Sequence, residues 1–103
     1  MVELRDVARW AAALTGVRPT APKGLAEWRY HSRLVARQLD ATRLVIRADF
    51  DYRDSSVRRY PATFSVPPRY IKHMMVVADL VNGDAAAIED ALEAAWLLQR
   101  RAD

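Results

Sequence analysis

Apolar residues recur at helical spacing in two segments near the start of the chain. In residues 2–14 this spacing predicts a helix with one apolar face, and Gly16 followed by Pro19 predicts its end. Residues 25–40 form a second predicted helix, after a loop that is rich in proline and glycine. The apolar stripes are Leu4, Val7, Ala8, Ala11 and Leu14 in the first helix and Leu25, Trp28, Val35 and Leu39 in the second.

The pattern changes to an alternation of apolar and charged residues in the middle of the chain. This alternation, which only Val45 interrupts, predicts a half-buried strand over residues 43–53. Asp54, Ser55 and Ser56 have the composition of a turn, and residues 57–66 form a second extended run. The two segments would pair as a β-hairpin within one chain or as a β-ribbon between two chains.

The last third of the chain has the most ordered pattern. Two prolines at positions 67 and 68 predict the start of a helix over residues 69–81, because proline at the first helical position sacrifices no hydrogen bond. Asn82 and Gly83 would end that helix. Asp84 would cap a final helix over Ala85–Arg101, whose acids come early and whose arginines come late, as the helix dipole favours.

Together these elements predict a small α+β protein of one domain with the order α-α-β-β-α-α. Residues 1–40 would form a basic helical part, residues 43–66 the strands and residues 67–101 a helical hairpin. The β-hairpin or intermolecular ribbon would pack against the helical hairpins. A chain of 103 residues can bury a modest core of this kind without disulfides.

The succession of strand, proline, helix, glycine and helix in residues 59–101 carries a family resemblance. The short strand TFSV, the prolines after it and the AIEDALEAAW rhythm of the last helix resemble the ribbon-helix-helix DNA-binding proteins of bacteria and phages. In that family two chains intertwine, and each lends one strand to an antiparallel ribbon whose outward side chains enter the major groove of DNA. The resemblance therefore implies a dimeric repressor.

The same resemblance assigns roles to individual residues. It implies that Arg59, Thr63 and Ser65 face the bases, whereas Phe64 and Val66 face the core of the dimer. The backbone N–H groups around residues 82–84 would contact phosphate, because they would begin the second helix of the motif.

The charge of the chain is distributed unevenly. Residues 1–69 contain 13 lysines and arginines against 7 acids, whereas residues 70–103 contain 3 against 6. This asymmetry favours either an anionic partner for the first part or pairing between the two parts, in the fold or in an oligomer.

Three arginines raise the same two alternatives, namely an anionic partner or pairing with acids of the protein itself. Arg29, Arg33 and Arg37 would stack along one face of the second predicted helix, where like charges four residues apart repel by a few tenths of a kcal/mol. Either phosphate or an acidic face would relieve that repulsion. The acidic face would consist of Glu89, Asp90 and Glu93 in the same chain or a partner.

A helix-turn-helix is a weaker alternative for the start of the chain. Residues 7–17 have the order of its first helix and turn, but Pro19 and Pro22 lie where the recognition helix should begin. Proline inside a helix costs about 3 kcal/mol, so this motif is disfavoured.

The chain offers little for catalysis or metal binding. It has no cysteine, and His31 and His73 have no nucleophile or ligand partner at a suitable spacing. Asp49, Asp51 and Asp54 resemble oxygen ligands, but neighbouring arginines favour a salt-bridged strand surface instead. The sequence therefore predicts no enzyme and no catalytic, cofactor or metal-binding residue.

The sequence favours a cytoplasmic protein with no membrane partner. Its longest apolar run, residues 74–78, is far shorter than the roughly 18 residues that cross a bilayer. Glu3 and Asp6 near the start disfavour a signal peptide.

We therefore expect a non-enzymatic, dimeric DNA-binding protein that acts as a transcriptional regulator. The expected DNA-binding residues are Arg29, Arg33, Arg37, Arg58, Arg59, Thr63 and Ser65. The expected dimer interface consists of Phe64, Val66, Met74, Ile88 and Trp96. The alternative is a protein-interaction or assembly factor, such as a phage structural or host-modulating protein, that uses the apolar helical surface around Tyr70, Met74 and Trp96.

Overall fold

An antiparallel sheet organises the chain and carries the helices on one of its faces. The computed structural model describes residues 1–101, which contain three α-helices and six strands. In chain order these are α1 (Leu4–Ala12), β1 (Val17–Thr20), β2 (Glu27–Tyr30), β3 (Arg33–Gln38), β4 (Arg43–Arg47), α2 (Phe50–Arg59), β5 (Phe64–Ser65), β6 (Met75–Asp79) and α3 (Ala85–Arg101). The strand order in the sheet is β1-β2-β3-β4-β6-β5, and every neighbouring pair is antiparallel.

The inner face of the sheet, which is the face that carries the helices, holds the main hydrophobic core. Leu44 and Ile46 of β4 and Val76 of β6 point inward and are fully buried. Ile88 and Leu92 of α3 belong to the same core. Burial of each such side chain contributes about 1.5–3 kcal/mol, so the contact between α3 and the central strands dominates the stability of the fold.

The first and last predicted helices are confirmed. α1 lies within the predicted residues 2–14, and the Glu3 N–H at its start donates to the Asp6 carboxylate at 2.9 Å. α3 has the predicted bounds, and Asp84 caps it by accepting from the Ala87 N–H at 2.8 Å. None of the helices in residues 1–101 combines the length and apolarity that crossing a bilayer requires.

The predicted order α-α-β-β-α-α is wrong, and so is the arrangement of helical hairpins. Four strands separate α1 from α2, and two more separate α2 from α3. The strand of the predicted ribbon-helix-helix motif is reduced to β5, which pairs with β6 of the same chain. The helix predicted after it is absent from the described chain, so the fold that the resemblance implies is not formed.

Residues 25–40 form β2 and β3 instead of a helix. The hairpin turns at His31, whose φ of 52° lies in the left-handed region that such tight turns require. The usual glycine or asparagine is missing there, so the turn has no signal in the sequence. A bulge gives β3 one extra residue, and Val35 and Ala36 are therefore both buried in the main core. Because the bulge interrupts the alternation of inward and outward residues, the apolar positions of this segment have a spacing that resembles that of a helix. The helix-turn-helix is not formed either, because β1 follows α1.

The long alternation over residues 43–53 spans the end of a strand and the start of a helix. β4 ends at Arg47, and Asp49 caps α2 by accepting from the Tyr52 N–H at 2.8 Å. α2 then continues to Arg59, so most of the second predicted strand is helical. Asp49 continues the alternation of apolar and polar residues that is typical of a strand, but in the structure it is the capping residue of a helix.

The helix predicted over residues 69–81 is replaced by β6. The prolines start only one 3-10 turn, Pro68–Tyr70, and β6 follows within a few residues. Val76, Val77 and Ala78 are all buried because β6 lies between two strands and is covered on both faces. A strand buried on both faces is a continuous apolar run, which periodicity cannot distinguish from a buried helix.

A covering segment, residues 66–74, lies on the outer face of the sheet, opposite the helices. Val45 and Val77 point outward from β4 and β6 and form a second small cluster with Tyr70 of this segment. The Tyr70 hydroxyl accepts a hydrogen bond of 2.9 Å from Arg37 Nη2. The covering segment therefore closes the outer face at β4 and β6 and leaves it open at β1 and β2.

Arg53 fixes the covering segment to α2. Its Nη1 donates to the carbonyl oxygens of Ile71 and His73, each at 2.9 Å, and of Tyr70 at 3.4 Å. Its Nε donates to the Asp54 carboxylate at 2.9 Å, and the residue is only 9% exposed. A single guanidinium thus binds three carbonyl oxygens of one turn in addition to the turn's own backbone hydrogen bonds, a use for which arginine with its five donors is suited.

We expect Arg53→Met to destabilise the protein by about 2–4 kcal/mol, because the carbonyl oxygens of the covering segment would lose their charged donor. Urea unfolding measures this change. Arg58→Met on the same helix is the matched control, since Arg58 is exposed and makes no ion pair within residues 1–101. Its effect should stay within about 0.5 kcal/mol. Equal stabilities of the two variants would contradict the anchoring role of Arg53.

A second prediction concerns Gly83, which precedes α3. A Cβ at this position would collide with the carbonyl oxygen of Asp79 and lie 2.7 Å from Ile88 Cδ1. We therefore expect Gly83→Ala to destabilise the protein by about 1–3 kcal/mol through overpacking. Thermal unfolding of this variant, beside an Ala86→Ser control at an exposed position, measures the effect. An unchanged melting temperature for Gly83→Ala would show that the contact relaxes freely.

Candidate nucleic-acid interface

The strand register places several arginines on the outer face of the sheet. Partners in an antiparallel pair share a face, and residues two positions apart along a strand do so as well. Arg37 pairs with the outward-facing Val45, whose neighbours two positions away are Arg43 and Arg47. These three arginines therefore project from the same side as the covering segment.

The open part of the outer face continues this pattern. Glu27 pairs with Arg37 across β2 and β3, and Arg29 lies two positions further along β2. Arg18 of β1 pairs directly with Arg29. The resulting basic face extends over four neighbouring strands and consists of Arg18, Arg29, Arg37, Arg43 and Arg47.

Two of these arginines face each other without an acid between them. Arg18 and Arg29 are cross-strand partners, and like charges in this position destabilise a sheet. Arg29 is partly neutralised by Glu27, whose carboxylate lies 2.7 Å from its Nε. Arg18 is exposed and has no ion pair within residues 1–101. An anion above β1 and β2 would relieve this repulsion.

Tyr70 marks the boundary between the open and the covered part of the basic face. It accepts from Arg37 Nη2 at 2.9 Å, and the guanidinium of Arg69 lies 4.8 Å from the centre of its ring. Its ring is buried against Val45 and Val77. Arg37 is thereby held in a defined position, whereas Arg69 adds a further exposed positive charge.

Two acids form one margin of the basic face, around Arg43. The Arg43 guanidinium, whose Nε lies 2.8 Å from Asp40 Oδ2, holds the pKa of Asp40 below its usual value. The Asn82 side-chain amide, at 3.1 Å, together with the Asn82 backbone N–H, lowers the pKa of Asp79 in the same way. Both acids therefore stay ionised at neutral pH, and the positive potential is strongest on the opposite side, at Arg18 and Arg29.

Arg47 contributes a buried donor without a partner. Its Nε is inaccessible to solvent and makes no hydrogen bond within residues 1–101. Arg47 pairs with Met75 at the end of β4, and the residue as a whole is half-buried. An unpaired buried donor carries a free-energy cost of about 1–3 kcal/mol, and an external acceptor cannot reach this atom while it stays buried.

Most of the ion pairs within residues 1–101 are local in sequence. Apart from Arg101 and Asp49, at 4.0 Å, the ion pairs within residues 1–101 join residues no more than three positions apart. The acids Glu89, Asp90 and Glu93 of α3 are exposed on the helical side. The outer face of the sheet is therefore basic, whereas the helical side carries exposed charges of both signs.

The structure separates the residues that were expected to bind DNA. Arg29 and Arg37 lie on the basic face, whereas Arg33 reaches the helical side, where its Nη1 donates to the Gln99 carbonyl at 3.3 Å. The stacking of these three arginines on one helical face is wrong, because β2 and β3 replace that helix. The exposed Arg58 and Arg59 lie at the end of α2.

The two small polar residues also differ from each other. Thr63 is 4% exposed, and its hydroxyl accepts from the Asp84 N–H at 2.9 Å at the start of α3. It is therefore a structural residue that no base can reach. Ser65 is exposed and pairs with Val77, so it lies on the outer face beside the covering segment.

The expected dimer-interface residues are scattered as well. Phe64 and Ile88 are buried in the core of the single chain. Val66 and Met74 belong to the covering segment and are half-buried, and Trp96 lies on α3 with its indole N–H donating to the Thr15 carbonyl at 2.8 Å. These residues form no common surface.

The acids and histidines weighed as ligands do not converge. Asp49 caps α2, and Asp54 pairs with Arg53. His31 stacks on Tyr30, far along the chain from His73 in the covering segment. Within residues 1–101 no three acidic, histidine or cysteine side chains come together as a metal site.

Sequence reasoning missed four basic residues of the outer surface, namely Arg18, Arg43, Arg47 and Arg69. Arg43 and Arg47 carried a usable signal, since they alternate with apolar residues in the first of the two strands that the sequence predicts. Arg18 and Arg69 lie in segments that read as a loop and a helix. Comparison with known proteins adds nothing to this surface, because no family model, curated protein or solved structure matches the chain.

We expect Asp79→Asn to make stability less dependent on acid pH. A carboxylate whose pKa is lowered in the folded state stabilises the protein above its unfolded pKa of about 3.9, and this contribution is lost as the pH falls through the folded value. The wild type should therefore exceed the variant in urea midpoint near neutral pH, and the difference should shrink as the pH falls through the lowered folded pKa of Asp79. A difference that persists at low pH would contradict the ionic origin of this effect.

Proposed function

We propose that the protein binds the phosphate backbone of nucleic acid through its basic face and performs no catalysis. The observation that carries this proposal is the run of five arginines across four adjacent strands on one side of the sheet. Arginine donors match phosphate geometry, and a surface of one sign attracts a polyanion over distance. The repulsion between the opposed Arg18 and Arg29 favours an external anion.

The composition of the basic face favours duplex DNA over single strands. Proteins that hold single strands stack bases on exposed aromatic side chains. The outward strand positions of this sheet carry no aromatic residue within residues 1–101, and Tyr70 is buried under its own segment. Ser65 is a small polar residue at the covered edge. Binding should therefore depend on phosphate contacts and vary little with base sequence.

The proposed binding differs from the mechanism expected from sequence in the residues that carry it. Arg33 and Thr63 are engaged elsewhere, so base reading by a strand around Thr63 is not part of the proposal. A homodimer and a role in transcriptional regulation stay predictions from sequence. Light scattering of the free protein measures the first of these, because a dimer doubles the mass.

We expect the triple variant Arg18→Gln, Arg29→Gln and Arg43→Gln to bind a short random-sequence duplex at least about tenfold more weakly than the wild type at low salt. The slope of log K against log salt should become shallower by about 2 to 3, since each lost phosphate contact contributes roughly 0.9. Fluorescence anisotropy of a labelled duplex at several salt concentrations measures both quantities.

The matched control removes three positive charges from the helices. Arg5 and Arg9 of α1 and Arg59 of α2 are exposed, and two of them also form a local ion pair. The variant Arg5→Gln, Arg9→Gln and Arg59→Gln should change the affinity by no more than about twofold. An equal loss of affinity in both variants would show that binding depends on net charge and not on the basic face. Absence of binding by the wild type at low salt would refute the proposal.

A further inference from the structure

The helical side of the molecule contains a groove of opposite character to the basic face. It lies between α1 and α3 and has a volume of about 280 Å³. Trp10 of α1 and Trp96 of α3 line it, Ala13 and Leu14 provide apolar surface, and Glu89 and Glu93 add two carboxylates. We call it the aromatic groove.

The two indole rings of the aromatic groove are half-buried and oriented. Trp96 donates its indole N–H to the Thr15 carbonyl at 2.8 Å, which fixes the ring at the end of α1. The guanidinium of Arg100 lies 4.4 Å from the centre of the Trp96 ring, and that of Arg9 lies 5.9 Å from the centre of Trp10. Each ring thus already attracts a cation of its own chain, as the negative face of an indole does.

The carboxylates of the groove have no cation of their own. Glu89 and Glu93 are exposed, lie one helical turn apart and make no ion pair within residues 1–101. Like charges at this spacing repel by a few tenths of a kcal/mol. A positive charge between them would remove the repulsion and gain two partners.

We propose that the aromatic groove binds a lysine or arginine side chain from a basic segment of a partner protein. The apolar surface of Ala13, Leu14 and the indole rings suits the methylene stem of such a side chain, and Glu89 and Glu93 neutralise its charged end. A groove of this size admits a side chain that protrudes from an extended segment.

The groove and the basic face lie on opposite sides of the sheet, so the two activities can be measured separately. Loss of nucleic-acid binding in the basic-face variant leaves the groove intact. Failure of the groove to bind a cationic peptide, in turn, leaves the proposed nucleic-acid binding unaffected.

The test uses the whole protein labelled with ¹⁵N and a short peptide of alternating lysine and glycine. The three tryptophans give three indole N–H signals, which the variants Trp10→Phe and Trp96→Phe assign. We expect the signals of Trp10 and Trp96 to move on titration, whereas that of Trp28, only 4% exposed in the core, stays in place. A matching peptide of glutamate and glycine should leave all three signals unchanged.

Charge variants on α3 and α2 test the role of the carboxylates. Glu89→Gln with Glu93→Gln should weaken the lysine peptide about fivefold to tenfold, because the neutral amides keep the shape but lose the charge. Asp51→Asn with Asp90→Asn removes the same charge from exposed positions outside the groove and should change the affinity by less than about twofold.

Three outcomes would overturn the proposal. The first is an equal loss of affinity in both double variants, which would show attraction to net charge alone. The second is binding that shifts backbone signals elsewhere but neither the Trp10 nor the Trp96 indole signal. The third is salt-sensitive self-association of the free protein that Glu89→Gln with Glu93→Gln abolishes, since the occupant would then be a second copy of this chain.

Discussion

Burial of the central strands on both faces is the constraint on which the rest of this structure depends. β4 and β6 place Leu44, Ile46 and Val76 under the helices, and they place Val45 and Val77 on the other side. If the outer face of this sheet were exposed to solvent, as one face of many antiparallel sheets is, the two outward valines would be exposed as well. The covering segment shields them, and Arg53 holds that segment by hydrogen bonds to its carbonyl oxygens.

This arrangement divides the outer face into two parts with different physical properties. At β4 and β6 the outer face is covered by the apolar cluster around Tyr70, whereas at β1 and β2 it remains open to solvent. The open part carries Arg18 and Arg29, and Arg37 links both parts through its hydrogen bond to the Tyr70 hydroxyl. The same segment that completes the fold thus also positions an arginine of the candidate site.

Local signals predicted the ends of the chain, where structure depends on short-range interactions. α1 and α3 have an amphipathic period, and Asp84 is a capping residue whose role follows from its position before an apolar stripe. The strand β4 was also predicted from a local pattern. The end of this strand was not predicted, because Asp49 continues the alternation of apolar and polar residues while it caps α2.

The middle of the chain was mispredicted because its structure depends on distant partners. His31 adopts a left-handed turn that asparagine or glycine would have signalled, and the bulge at Val35 breaks the period of two. β6 is apolar on both faces only because the covering segment lies over it, which no periodicity within residues 75–79 reveals. Arginine content suggested an anionic partner, but the set of arginines that share a face follows from strand register alone.

The net charge of +3 is distributed differently over the two sides of the molecule. The strands up to β4 contribute the outward arginines, while on the other side the acids Glu89, Asp90 and Glu93 of α3 share the helical layer with exposed arginines of all three helices. The sheet and the helical layer lie between these surfaces, and at physiological ionic strength charges are screened beyond about 8 Å. The basic face and the aromatic groove are therefore electrostatically almost independent, so a charge that is removed at one of them should alter the field at the other very little.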